Sequence, residues 1–220
     1  MIIMTTQMHI DFVSDVSCPW CAIGLASLED ALHQIGDAVE ADIDFQPFEL
    51  NPSIPFEGQN IVEHVAEKYG YTREQSDENR SVLIERAKDV GFDMAIDADS
   101  RIYNTFDAHR LLHWARSTPH QLALKHALLR ANFTDGRNPG DPEVLVAAAE
   151  EAGLDVEQVR EVLSSGRYAA EVRAEMARWQ ARGIASVPAI IVNGRHLISG
   201  GQPAEVFAQA LRQIAAQGLV

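Results

Sequence analysis

The hydrophobic pattern changes its period twice along the chain. Residues 8–13 alternate, with Met8, Ile10 and Phe12 on one side, and predict a strand. The apolar positions then fall at Cys21, Leu25, Leu28, Leu32 and Ile35, the 4,3,4,3 spacing of one buried stripe on a helix that starts near residue 18. Gly36 is a good stop for that helix, and Ala41-Asp42-Ile43-Asp44-Phe45 alternates again as a second strand closed by Pro47. The connection between the two strands is long enough for a crossover, so they are expected to pair in parallel. Phe48 to Pro55 reads as an extended loop.

From Asn60 to about Gly183 no strand-like alternation survives. Helices are predicted over 60–69, 72–90, 105–117, 120–133, 141–152, 155–164 and 167–182, separated by short breaks that contain glycine or proline. Asp141-Pro142-Glu143 places an acid at the cap and proline at the first helical position. The β pattern returns with the apolar run Ala189-Ile190-Ile191-Val192, the hairpin signal Asn193-Gly194 and a returning strand from Arg195 to Ser199. Gly200-Gly201-Gln202-Pro203 opens a last helix with the stripe Phe207, Ala210, Leu211 and Ile214. The order is β-α-β, a helical block, then β-β-α, an α/β chain. Residues 1–59 and 184–220 are expected to form one discontinuous domain. Residues 60–183 form a large all-helical insertion, whose last helix (about 167–182) is expected to pack back on the sheet.

Composition narrows the function classes. Of 220 residues, 46% are hydrophobic, enough for a sizeable core. The net charge of −14 disfavours nucleic acid and anionic membrane as partners, since both are polyanions. No run approaches the length of a membrane span. Met1 to His9 is short, lacks a basic region and runs into the first strand, so no signal peptide is expected. A cytoplasmic, reducing setting follows, where a close cysteine pair is more often catalytic than structural.

That pair is Cys18 and Cys21, the only cysteines, within Ser17-Cys18-Pro19-Trp20-Cys21. Cys21 opens the buried helical stripe, and Cys18 falls one step earlier, at the helix's N-terminal edge. Pro19 suits the first turn, which tolerates a missing N–H. Unpaired N–H groups and the helix dipole favour a thiolate at Cys18. An outer thiol backed by a second one can attack a disulfide, form a mixed disulfide and be resolved internally. A zinc site completed by His109 and His113 is the competing reading. The pair lacks flanking turn residues and no third ligand is suggested nearby, so no metal is expected. Asp11 and Asp15 precede the pair, and either is a candidate to take the Cys21 proton. Trp20 precedes the buried stripe and is expected to face substrate at the surface.

This layout, with Cys-X-X-Cys at the first helix and Val187-Pro188 just before the third strand, is that of a thioredoxin fold carrying a helical insertion. The chain resembles the DsbA family of thioredoxin-like proteins, most closely its FrnE-like branch. The match rests on Ser17 to Gly24, Pro47 to Pro52, Asn104 to Ala115, Ser186 to Ala189, Asn193 to Arg195 and Ser199 to Pro203. The resemblance implies a thiol–disulfide oxidoreductase, with Cys18 attacking and Cys21 resolving. It also implies a cis peptide before Pro188 and a substrate site formed by Pro19, Trp20, Val187 and Pro188. Protein or small-molecule thiols and disulfides are the implied partners. No cofactor is permanently bound, and glutathione is admissible as a co-substrate. A homodimer is left open. Related members include 2-hydroxychromene-2-carboxylate isomerases and kappa-class glutathione transferases, which handle a glutathione sulfur without a cysteine pair. A glutathione-dependent isomerase or transferase is therefore the first alternative, and a redox-silent binding module the second. Pro-Trp stands between the cysteines where DsbA has Pro-His, and there is no second cysteine pair, which excludes an electron relay within one subunit.

Overall fold

The computed structural model describes residues 5–217. Its main sheet has four strands: β1 (Thr6–Ser14), β2 (Val39–Pro47), β5 (Ala189–Val192) and β6 (His196–Ser199), in the order β2-β1-β5-β6. β1 and β2 run parallel, in a register that places Ile10 beside Ile43 and Phe12 beside Phe45. β5 is antiparallel to β1, and β6 returns from it through Asn193-Gly194, where both residues have positive φ. Asparagine and glycine tolerate that left-handed backbone better than other residues. The crossover from β1 to β2 is made by α1 (Pro19–Ile35), as its 4,3,4,3 stripe predicts.

Alternation along β1 decides what covers each face of the sheet. Met8, Ile10 and Phe12 share one core with Cys21, Leu25 and Leu28 of α1 and with Phe207, Leu211 and Ile214 of the last helix, α9 (Ala204–Gln217). In that last stripe Ala208 is buried and Ala210 only partly so, a shift of the expected position. The other face presents Val13, Ala189 and Ile191 to Trp179 of α8 (Ala169–Ala181). Trp179 is 1% exposed, the largest fully buried side chain, and it fixes α8 on the sheet.

Between β2 and β5 lie α2 (Ile61–Tyr69), α3 (Arg73–Asp89), α4 (Phe106–Ala115), α5 (Gln121–Phe133), α6 (Pro142–Glu151), α7 (Val156–Ser165) and α8. Four of them, α2, α3, α6 and α7, start at side chains that accept the otherwise unpaired N–H groups of the first turn. Asn60 caps α2, Asp141 caps α6 and Asp155 caps α7, while Thr72 and Gln75 form a reciprocal capping box on α3. Helices α4 to α7 enclose a second core around Leu111, Leu124, Leu128, Leu145 and Val159, joined by Val16 of the loop after β1. One feature departs from the all-helical expectation. Gln59–Asn60 (β3) and Arg101–Ile102 (β4) form a two-residue antiparallel ladder, too short to leave a period in the sequence.

Candidate active site

The loop from Asp15 to Cys18 connects β1 to α1 and sets both cysteines. Cys18 is the residue before the first helical turn, in extended conformation, and its N–H donates to the Asp15 carbonyl at 3.2 Å. Pro19 takes the first helical position as expected. One turn inward, Cys21 belongs to the core and is 0% exposed. Cys18 itself is 4% exposed, which corrects the expectation of a sulfur at an open helix edge. The cause lies across the chain: the Cys18 thiol donates to the Val187 carbonyl at 3.6 Å, so the loop before β5 covers it. The Val187–Pro188 bond is cis.

Close approaches hold these segments together. A Cβ on Gly24 would lie 3.1 Å from Pro188 Cγ and 3.1 Å from the Gly201 Cα, and one on Gly201 would lie 2.8 Å from the Trp20 carbonyl oxygen. Glycine at both positions lets α1 meet the Pro188 loop and the turn before α9 at backbone distance.

Cys18 opens onto a cleft of about 690 Å³. Ser17, Cys18, Pro19 and Trp20 line one side with Ser186 and Val187; Ile61 and Val65 of α2, Val82 and Leu83 of α3, and Tyr103 and Phe133 line the other. Trp20 stands at the rim, 39% exposed, as the sequence predicts. Ser17 is among the residues at the cleft, and its hydroxyl oxygen is buried with no hydrogen-bond partner among the described residues. Pro188 is behind the cleft wall, packed on Gly24.

Beneath the pair lies a buried charged group from each half of the chain. Asp15 is 1% exposed and its carboxylate accepts from Ser17 N–H at 3.1 Å, Leu50 N–H at 2.7 Å and the Thr105 hydroxyl at 2.8 Å. His109 Nε2 lies 3.5 Å from the same oxygen, beyond good hydrogen-bond length. Burial pushes the Asp15 carboxyl up, but His109 and the two N–H groups outweigh it and hold the carboxyl at about 2. Asp15 is therefore a clamp on the Ser17 and Leu50 loops. Its two oxygens accept from three donors of this chain. As a taker of the Cys21 proton Asp11 is ruled out by position, because it alternates away from the face that carries Met8, Ile10 and Phe12 and accepts from Gln46 at 2.6 Å.

The second buried charge is Lys125 on α5, 0% exposed. Its Nζ donates to the Ser14 hydroxyl at 3.0 Å and lies 5.6 Å from the Phe45 ring centroid. Burial pushes the ammonium pKa down, and the proximity of Cys21, Asp15 and Cys18 opposes that. At Cys21, burial and then the adjoining Cys18 side chain raise the thiol well above its ordinary range, while Lys125 and the Asp15 backbone pull it back. Sequence reasoning passed over Lys125. The available signal was its place in the stripe Gln121, Leu124, Lys125, Leu128, where a lysine replaces an apolar residue.

His109 and His113 do not converge on one point: His109 turns to Asp15, and His113 Nδ1 lies 3.3 Å from Glu175 of α8. Among the described residues, donor atoms close enough to share an ion occur at His9, Asp11 and Asp44, on the sheet and away from the cysteines. No helix among the described residues is long and apolar enough to cross a membrane.

A parallel β-α-β opening, an antiparallel closing hairpin and helix, and two thiols at the start of the first helix define a thioredoxin-fold protein with a helical insertion. Residues 9–212 match the DSBA-like thioredoxin domain, and the chain belongs to that family of thiol oxidoreductases. A probable DsbA oxidoreductase from Streptomyces coelicolor is 37% identical and superposes with a TM-score of 0.87, over 94% of this chain and 89% of that one. The uncharacterized protein YwbO of Bacillus subtilis (strain 168) is 25% identical over 205 residues, 93% of this chain and 96% of YwbO. A 2-hydroxychromene-2-carboxylate isomerase shares the fold, with a TM-score of 0.70 at 17% identity over 96% of this chain and 98% of its own.

Proposed function

We propose that the protein exchanges disulfides through Cys18 and Cys21. The Cys18 thiolate attacks one sulfur of a substrate R–S–S–R′; R′S⁻ departs with the electron pair, leaving Cys18–S–S–R. Cys21 then attacks the Cys18 sulfur, which releases RS⁻ and leaves the Cys18–Cys21 disulfide. The two electrons the cysteines lose are those the substrate disulfide gains, and the reverse sequence oxidises a dithiol. The observation that carries this reading is the depth order of the thiols. Cys18 lines the cleft at a helix N-terminus, and Cys21 sits sealed behind it.

Substrate lies along the cleft in this reading. Trp20 offers an exposed aromatic face at the rim and Pro19 the adjoining wall. The backbone at Val187, next to Cys18, pairs with an extended segment by strand addition, with Pro188 holding the loop against α1. Protein disulfides and small disulfides such as that of glutathione both fit such a site.

The test is trapping. Cys21→Ser should accumulate a mixed disulfide with glutathione disulfide or a peptide disulfide, seen by mass spectrometry, and Cys18→Ser should not. The wild-type pair should equilibrate with glutathione at a potential of roughly −270 to −120 mV. Equal adduct formation by the two variants, or a potential below about −300 mV, would mark the pair as structural. Activity that survives in Cys18→Ser would point instead to a glutathione-dependent isomerase or transferase.

A further inference from the structure

Helix α2 turns its apolar stripe to the cleft. Ile61, Val65 and Tyr69 recur every four residues along one face, and all three line the space onto which Cys18 opens. Tyr71 just before α3, Val82 on α3 and Tyr103 just after β4 extend that wall. None of the six takes part in the cores that the described residues form. Tyr69 is 55%, Val82 44% and Tyr71 40% exposed. An amphipathic helix ordinarily lays such a stripe on a core, and a stripe left to water forgoes the gain of burial.

Asn51, His64, Asp97, Arg101 and Asn132 are polar residues of the same cleft, and each is engaged within the chain. Asn51 Oδ1 accepts from Lys68 at 2.6 Å, His64 Nδ1 lies 2.8 Å from Gln59 Oε1, and the Asn132 amide donates to the Val16 carbonyl at 3.0 Å. Arg101 donates to the Glu57 and Gly58 carbonyls at 2.8 and 2.7 Å, and Asp97 accepts from the Ser100 hydroxyl at 3.0 Å. The apolar stripe is therefore the larger part of what an occupant meets. The volume of about 690 Å³ falls within the ~300–1,000 Å³ of sites that hold one small molecule. With Cys18 in its wall, the cleft suits an occupant that carries a sulfur.

We propose that the exchange partner of Cys18 is a small disulfide whose sulfur carries an aromatic or branched apolar group, seated against Ile61, Val65 and Tyr69. The inference rests on the disulfide-exchange reading above and names its substrate class. The Cys18 thiolate attacks R–S–S–R, one RS⁻ leaves with the electron pair, and the R that stays in Cys18–S–S–R fills the cleft. Glutathione is a poor occupant, because its two carboxylates and its ammonium would be desolvated against the apolar wall. The net charge of −14 also opposes a further anion. An extended polypeptide is a poor one too. Its backbone groups need partners along their length, and the helices of the far wall have theirs bonded internally.

The experiment uses the full chain as Cys21→Ser, in which Cys18 is the only thiol, equilibrated with benzyl mercaptan, 2-mercaptoethanol and their disulfides. The exchange Cys18–S–S–CH₂CH₂OH + C₆H₅CH₂SH ⇌ Cys18–S–S–CH₂C₆H₅ + HOCH₂CH₂SH breaks and forms the same kinds of bond. Its constant, read by mass spectrometry and divided by that of the same variant unfolded in urea, reports what the cleft does to the two groups. The folded chain should favour the benzyl adduct at least about tenfold, the scale of burying an aromatic ring. Val65→Asn and Val82→Asn should each lower that preference at least about threefold. Leu197→Asn, at a 53% exposed position on β6 outside the cleft, should leave it within about twofold. Should Val65→Asn fail to fold, Val82→Asn decides, since its site is 44% exposed. A benzyl preference within about twofold of the unfolded chain's, or one that survives substitution of the wall, overturns the proposal. So does a stronger preference for glutathione, or for a leucine-flanked cysteine peptide, when either replaces 2-mercaptoethanol. Absence of any adduct on folded Cys18 would instead remove the exchange reading itself.

Discussion

Asp15→Asn takes one negative charge out of a sealed site and leaves the outline of the side chain unchanged. The native carboxyl is held at about 2 against an ordinary 3.8. At ~1.4 kcal/mol per pH unit this is about 2 kcal/mol of stability at neutral pH. Because the folded value is depressed, that stability is complete above pH 3.8, falls as the pH drops, and is gone below about 2. At pH 3 about half of it remains. The amide loses more than the charge, because its NH₂ group must face either the Ser17 N–H or the Leu50 N–H and leave that donor unpaired. An unpaired buried donor costs ~1–3 kcal/mol, so the expected loss at pH 7 is about 3–5 kcal/mol. Urea unfolding of both proteins at pH 7, 5, 4 and 3 measures it. The gap between them should narrow by about 1 kcal/mol on going from pH 7 to pH 3. A gap that does not change with pH, or a variant as stable as the wild type, would refute the clamp assigned to Asp15.

Three further outcomes follow from the geometry. Iodoacetamide at pH 7 should modify Cys18 at least about tenfold faster than Cys21, whose thiol is sealed and pushed well above its ordinary range; peptide mass spectrometry reads the two rates. Glu175, which accepts from Arg116 at 2.8 Å and lies 3.3 Å from His113, is held at about 2 against an ordinary 4.5. Glu175→Gln should cost roughly 1–3 kcal/mol in urea unfolding at pH 7, with a gap that shrinks as the pH falls from 4.5 toward 2. Gly201→Ala places a methyl 2.8 Å from the Trp20 carbonyl oxygen and should lower stability by roughly 1–3 kcal/mol, visible as a lower urea midpoint. A midpoint equal to the wild type's would mean that α1 and the turn before α9 are free to separate.

The element order was legible because several helices announce their ends locally. Thr72 with Gln75, Asp141 with Pro142, and glycines at 70 and 166 act within one turn of themselves. The cysteine pair was legible for the same reason, as its spacing and its place on the stripe are local facts. What escaped depends on residues far apart in the chain. Cys18 is covered by a carbonyl contributed from Val187, and Asp15 is spent on Leu50, Thr105 and His109. The β3–β4 ladder has two pairs of residues and so no period to detect. Lys125 is easily passed over by type, since a lysine in a helix ordinarily marks the solvated face; its place in the stripe with Leu124 and Leu128 is the one local sign that it points inward.

The contact between the Cys18 sulfur and the Val187 carbonyl joins positions 169 residues apart. Chains are synthesised at about 5–20 residues per second, so roughly 8–34 s separate the emergence of these two groups from the ribosome. Through that interval β1 has its parallel partner β2 but not β5, and the thiols have no lid. A nascent chain of this protein therefore carries both sulfurs open to any oxidant or thiol reagent around it. Newly made protein should be the fraction most easily lost to unwanted sulfur chemistry, and the segment that carries Val187 and β5 is what closes that window.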